Sequence, residues 1–507
     1  MNKKIIYISL LLLLVFTFEN CTNDFEEINA DPNSIINPTP DLLLPTIIRS
    51  SQLDYFYKNF ENGNCAADQV AYQYMSVFNW DASTADKFCW GTFYDYLRNV
   101  QKMIEISTKT GQNNYLAVAL IYKSWMFQVL TDNFGDLPYS EALKGESDGI
   151  NQPGYDTQEA IYTGILSDLT TANDLIGTTG EVIKGDILFG NNITKWKKFA
   201  NSLKIRCLMR ISGRNNPSTA LQTIINDPIK YPVFTSKDDQ AAFTFLADAP
   251  NQSPIYPNYG KVTGFYISKT MADFMNVTGD KRIKLFAQPT PNSVLAGVPI
   301  YAGVPNGLGD ASSTYNGGTN NQSPVGLLWY GIQNSTLASP NAHQSLIMTY
   351  SELQFALAEA AEKGYISGGT TVAKTYYEKG IQASYEYWQS RIPSNFVLPK
   401  KADITWDAAY LAVPAVAYAG TTAEKLAKIA TQKWIDLFSL GFEAWAEWRR
   451  TNSPTLVAGP NTFNDGKIPV RMVYPSSEQA YNKTNYDAAV ARIGGDNLNV
   501  KVWWDVN

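Results

Sequence analysis

Apolar residues recur every three or four positions in two blocks of the chain, about 42–212 and 345–448, and lose that rhythm between them. Helical periodicity starts near Leu42 and runs unevenly to about Tyr57; the interval from Asn62 to Lys87 is irregular and rich in rings. From Trp90 a helix is predicted through Phe93, Tyr94, Leu97 and Val100. Residues 113–131 give the clearest amphipathic helix, with Tyr115, Val118, Ala119, Tyr122, Trp125, Met126 and Val129 on one stripe. Gly135 and Pro138 end it. Asp156 with Glu159 reads as a capping box ahead of Ile161, Ile165, Leu169, Ala172 and Ile176. A further helix carries Trp196, Phe199, Ala200, Leu203, Cys207 and Ile211.

In the second block Leu346, Tyr350, Leu353, Leu357 and Ala360 resume the 3.6-residue period, and a partner helix runs from about Val372 to Trp388. Thr421 with Glu424 caps a last long helix bearing Leu426, Ile429, Ala430, Trp434 and Phe438. Gly441 breaks it before a short helix with Phe442, Trp445 and Trp448. The tail, 450–507, is predicted to be irregular, with Pro454, Pro460, Pro469 and Pro475. Helices in antiparallel pairs, with small residues such as Ala119, Ala200 and Ala360 on their packed stripes, make the chain mostly α. The expected architecture is tetratricopeptide-like helical hairpins in an α–α superhelix, with long irregular insertions forming the ligand face.

The insert, 250–341, is dense in glycine and proline, which excludes long regular helices. From Ala287 to His343 it holds one charged side chain, Asp310, yet it carries Tyr301, Tyr315, Trp329 and Tyr330 beside Asn306, Asn316, Asn320, Asn321 and Gln322. Disordered linkers are charged and poor in aromatics, so this segment is expected to be ordered. Ring faces cover the C–H patches of a sugar while amides donate and accept, so the pattern points to a neutral carbohydrate. A loop folded onto its own rings would show the same composition. Trp80, flanked by Asn79 and Asp81 in a polar loop, is a second platform candidate; Trp90 belongs to the core.

Charged residues are 17% of the chain, below the roughly 25% usual in soluble proteins. The net charge is −6, and no basic run exceeds Lys197-Lys198 or Arg449-Arg450, which argues against nucleic acid. Lys3-Lys4 precede an apolar run from Ile5 to Phe18, too short for the roughly 20 residues that span a bilayer, so residues 1–20 read as a secretory signal peptide. Cys21 follows directly and is expected to be acylated, leaving 21–507 as one domain anchored by lipid. Cys65 and Cys89 could pair in an oxidising compartment, though their spacing does not require it; Cys207 reads as a small buried hydrophobe. No Cys/His cluster suggests a metal, and no motif suggests a cofactor.

Several stretches together resemble the SusD/RagB family of outer-membrane nutrient-binding lipoproteins. They are Leu130-Thr131-Asp132-Asn133-Phe134-Gly135-Asp136-Leu137-Pro138-Tyr139, the run from Trp196 to Arg206, Asp280-Lys281-Arg282, the run from Tyr350 to Ala360, and Pro469-Val470-Arg471-Met472-Val473-Tyr474-Pro475. With the signal peptide and Cys21, the match spans essentially the whole chain. The resemblance implies four tetratricopeptide-like helix pairs and a SusC-like TonB-dependent transporter as partner. It also implies surface display at the outer membrane and binding of glycans, or in some members peptides, without hydrolysis. It fixes no ligand residue.

Catalysis has little to build on. The lone histidine, His343, reads as a surface or helix-capping residue, and G-x-S-x-G, H-E-x-x-H and P-loop motifs are absent from the sequence. A helical glycoside hydrolase would need only two carboxylates, for which Asp81, Asp86 and Asp310 are available. The reading adopted is a non-catalytic surface lipoprotein that captures a neutral oligosaccharide. Trp80, Tyr315, Trp329 and Tyr330 are its expected platforms, with Asn79, Asp81, Asn316 and Asn320 as hydrogen-bonding partners.

Overall fold

A computed structural model describes residues 38–72, 78–85, 89–255, 264–330, 342–394, 396 and 399–507. The chain divides into Met1–Thr39 and Pro40–Asn507, and the helical fold belongs to the second unit. The signal peptide and Cys21 lie outside the described residues.

Helices pack in sequence-adjacent pairs. α1 (Pro40–Lys58) lies against α2 (Trp90–Thr110), which buries Phe93, Leu97, Val100 and Met103. Gly111, at φ 70°, takes the left-handed cap that lets α3 (Asn113–Phe134) return along α2. α3 also packs on α4 (Gln158–Leu175), which in turn packs on α5 (Ile193–Arg210). α3 is therefore buried almost all round, not along the one stripe its apolar spacing predicts, and Ser124, Gln128, Thr131, Asp132 and Asn133 lie inside with it. α4 is capped by Thr157, whose hydroxyl accepts from Ala160 N at 3.2 Å. Asp156, the predicted cap, instead accepts from Tyr139 N and Ser140 N across the preceding turn.

After α6 (Ser218–Asn226), β2 (Ala241–Thr244) pairs antiparallel with β4 (Gln344–Met348), and these strands bracket the insert. α9 (Tyr350–Glu362) and α10 (Gly369–Ser390) form the tightest hairpin, and α11 (Thr422–Asp436) closes on α9. Thr421 and Glu424 make the predicted capping box on α11. α12 (Gly441–Thr451) starts where a π-helical turn, Asn59–Gly63, comes against it; a Cβ on Gly441 would strike the Asn64 backbone nitrogen. The tail holds α13 (Ser476–Tyr481) and α14 (Lys483–Ile493), so it is less irregular than the prolines suggest. Cys65, Cys89 and Cys207 are buried free thiols, so no Cys65–Cys89 disulfide forms.

The helices meet around buried charge. Arg206 grips Glu352 through two nitrogens, each at 2.6 Å. Arg210 reaches Glu443, Glu447 at 2.8 Å and Asp132 at 3.3 Å. Arg450 spans Glu359 and Glu447, and Lys433 reaches Glu447 at 2.9 Å. Tyr162 and Trp504 donate to the remaining Asp132 oxygen at 2.6 and 2.8 Å. In such a low-dielectric setting each charge is tolerated only because partners surround it.

Candidate ligand-binding face

The insert is pinned to the scaffold by one short antiparallel pair. β1 (Val70–Tyr72) sets Val70 opposite Ile267 and Tyr72 opposite Phe265 of β3 (Phe265–Ile267). Ser268 then caps α7 (Lys269–Thr278), a ten-residue helix inside the insert, whose glycine and proline density excludes long regular helices. Single bridges tie Tyr266 to Pro324, Ser268 to Val304 and Ala287 to Val325, so the later turns lie over the strand pair. The Asn306 amide donates to Cys65 O at 2.7 Å, and a tail loop closes over the same turn, with Asn461 donating to Leu308 O at 2.8 Å. Gly459 fits there because any Cβ would run into Asn306 O.

Above β1 and β3 sits a small apolar cluster, separate from the main core, of Ala71, Tyr266 and Val304 with Leu308 and Tyr315 at its edge. Tyr315 is half-buried: one side packs on this cluster. The loop carrying it is held from within. The Gln322 amide donates to Ser312 O at 2.7 Å and Tyr315 O at 2.9 Å, and Asn316 donates to Asn321 O at 2.7 Å. Asn316, at φ 55°, adopts a left-handed conformation that asparagine tolerates better than most residues. Asn316 and Asn320 are both exposed. The structure thus brings Tyr315, Asn316 and Asn320 onto one ordered loop.

The other expected platforms do not join them. Trp329 is 2% exposed and enclosed by Phe286, Trp388 and Phe438, with ring centroids 4.9–6.2 Å away, so it is a core residue and presents no face to a sugar. Trp80 is 7% exposed, edge-on to Phe78 and to Trp445 of α12; apolar burial claims this ring as well. Asn79 and Asp81 are exposed beside it. Asp81 accepts from Ser83 N at 2.9 Å, from the Ser83 hydroxyl at 2.6 Å and from Thr84 N at 3.0 Å; these bonds hold its carboxyl below the usual range. It serves as the cap of the turn at 82–85. The side chain of Tyr330, and all of Asp86, lie outside the described residues. His343 is buried, not a surface residue: its Nε2 contacts Leu328 O, and burial pulls its pKa down to about 4.

Two features escape the ring-and-amide reading. The insert's exposed flank is aliphatic, with Val294 and Leu295 of α8 (Pro291–Leu295), Val298 and Ile300 all more than half exposed. The tail loop that covers Asn306–Leu308 carries Phe463, 61% exposed between Asn461 and Asn464. Phe463 shows the same signal as the insert, a ring among amides in a Pro/Gly-rich stretch, and could have been found by it.

A family model described as starch-binding and associating with the outer membrane matches residues 26–475. The chain belongs to this SusD-like family. Among solved structures, a SusD homologue from Bacteroides fragilis is 28% identical with a TM-score of 0.75, covering 92% of this chain and 99% of that one. A chitin-binding protein is 29% identical with a TM-score of 0.76, covering 93% and 100%. A chitin-binding SusD homologue from Flavobacterium johnsoniae, 23% identical with a TM-score of 0.71 over 92% and 99%, shares the fold. No curated protein matches the chain. SusD-like proteins are binding proteins associated with the outer membrane. Among the described residues here, no helix is long and apolar enough to cross a membrane.

The SusD-like motifs account for the scaffold. Asp132, Arg206, Glu352 and Glu359 belong to the buried ionic network. Asp280 and Arg282 form a second enclosed pair, Nη2 to Oδ2 at 2.6 Å, and Arg471 pairs with Asp496 at 3.0 Å. Asp136 accepts from Gln158 N at 2.8 Å, and Tyr474 donates to Asp136 O at 2.7 Å.

Proposed function

We propose that this chain is a lipid-anchored cell-surface protein, acylated at Cys21, that binds a neutral oligosaccharide and passes it unhydrolysed to a SusC-like TonB-dependent outer-membrane transporter. The observation that carries the reading is the Tyr315 loop: a half-buried ring braced from below, flanked by exposed Asn316 and Asn320, in a span whose one charge is Asp310. Such a surface offers donors, acceptors and a flat apolar face, and Lys269, the cation that acts on Tyr315, is already paired with Asp273. Covering about 80 Å² of ring contributes roughly 2 kcal/mol gross at 25 cal/mol per Å². Association costs reduce this, so a few such contacts give micromolar to millimolar affinity. The chitin-binding neighbour at 29% identity supports an uncharged polysaccharide as ligand.

Asp81 is unsuited to be the general acid of a glycosidase. A general acid needs a raised pKa, whereas Asp81 is held ionised by three donors. The test is calorimetry with chitohexaose and a panel of neutral oligosaccharides, alongside a reducing-end assay. Saturable binding that weakens about tenfold in Tyr315→Ala, with no sugar released, supports the proposal; no binding across the panel, or accumulating reducing ends, overturns it. Co-purification of a TonB-dependent barrel with the full-length membrane protein tests the partner.

A further inference from the structure

Between α6 and the turn joining α9 to α10 lies a solvent-open groove of about 610 Å³. Thr219, Gln222, Thr223 and Asn226 form one wall, and Tyr365 and Ser367 stand in the other. No charged side chain lines it. The sequence makes that possible on both sides: no charged residue occurs between Arg214 and Asp227, or between Lys363 and Lys374.

The walls are fastened together. Ser367 N donates to the Gln222 side-chain oxygen at 3.0 Å, which ties the two walls together, and the Gln222 amide nitrogen donates to Asn226 Oδ1 on its own wall at 2.8 Å, which fixes its orientation. Tyr365 is half-buried, packed against the core on one side. An anion or cation would find no countercharge here. A purely apolar ligand would strip water from hydroxyls and amides without replacing their hydrogen bonds. An uncharged polyol meets both demands, because its hydroxyls donate and accept while its C–H face lies on a ring. The volume falls within the roughly 300–1,000 Å³ of small-molecule sites.

We propose that this groove is a second binding site for a neutral glycan, distinct from the Tyr315 face; the idea rests on the reading that the protein binds such glycans. Two sites on one chain would hold a long polymer more tightly than either holds an oligomer, by effective concentration alone.

Calorimetry with chitohexaose and a panel of neutral hexasaccharides (malto-, cello-, xylo- and manno-) tests this on wild type, Tyr315→Ala, Thr223→Arg and Tyr365→Ala. Thr223 is exposed on α6, so arginine there fills the groove without touching the core. Two sites per chain are expected in wild type and one in Thr223→Arg. Tyr365→Ala should weaken that site at least tenfold while melting separately reports its fold. One site that survives both groove variants but is lost in Tyr315→Ala overturns the groove and leaves the proposed function standing. Binding that survives Tyr315→Ala and disappears in Thr223→Arg keeps the groove and overturns the Tyr315 face. No binding in wild type overturns both.

Discussion

Arg206 and Glu352 stand 146 positions apart in sequence and meet as a two-pronged pair, with Nε and Nη2 each 2.6 Å from a carboxylate oxygen. Arg206 comes from α5 and Glu352 from α9, so the contact joins the helical blocks on either side of the insert. Both side chains are shut away from water, at 1% and 0% exposure. The pair fixes how the two halves of the scaffold face each other, and through β4 and the strand it pairs with, where the insert leaves and returns.

Removing the charge of Glu352 leaves Arg206 with the more distant Glu443, at 3.8 Å. Glu352→Gln is expected to cost about 3–5 kcal/mol, the range for breaking a buried ion pair. The double variant Arg206→Met, Glu352→Gln should recover part of that loss, because no uncompensated cation remains. Urea denaturation of the three proteins measures this. A single variant as stable as wild type would mean that water reaches the pair.

Ring position makes opposite predictions for two aromatics of one insert. Trp329→Ala should destabilise by about 3–5 kcal/mol, as deletion of a large core side chain does; thermal melting checks it. Tyr315→Ala should leave the melting temperature within a few degrees and act on glycan affinity. If Trp329→Ala instead melts like wild type and loses ligand, the enclosed position of its ring does not describe the protein in solution.

Backbone contact gives a third prediction. Gly441 starts α12 hard against the Asn59–Gly63 turn, where any Cβ would meet the Asn64 backbone nitrogen. A backbone atom cannot swing aside as a side-chain end can, so Gly441→Ala should destabilise although alanine favours helix. Gly364 has open space where a methyl would go but a φ of 73°, so Gly364→Ala should suffer only the smaller cost of backbone strain. Denaturant midpoints of the two variants compare them.

The helical scaffold is legible in the sequence because burial writes itself into spacing. Phe93, Leu97 and Val100 mark the inner face of α2, and Thr421 with Glu424 marks the start of α11. The motifs carry the fold for a related reason, since Asp132, Arg206 and Glu352 cannot sit in a core without one another. The ligand face is only partly legible. A ring in a loop reads alike whether it turns out or in, and the difference between Tyr315 and Trp329 is set by long-range partners. Phe286 and Trp388 enclose Trp329, whereas Tyr315 has only Tyr266, Val304 and their neighbours beneath it. His343 reads as a surface residue for the same reason: nothing local shows that Phe56 and Leu328 will cover it.

Asp68 supplies a prediction about pH. It is 2% exposed, at the turn before β1, and its carboxylate accepts from the Thr270 hydroxyl at 2.5 Å and from Val457 N at 3.4 Å. No ion pair to it occurs among the described residues. Burial therefore pushes its pKa up to about 7, despite those two donors. In the unfolded chain the group titrates near 4. Between those values the folded state holds a proton that the unfolded state has released, so this residue's contribution to stability is full below pH 4 and is lost as pH rises towards 7. Asp68→Asn keeps the acceptor and removes the titration. Relative to wild type, the variant should gain stability steadily from pH 4 to pH 7 and hold that gain above it, as urea denaturation across the range would show. A difference between the two proteins that stays flat with pH would mean that Asp68 is hydrated or paired in solution, and that the turn joining β1, α7 and the tail loop is looser than its hydrogen bonds imply.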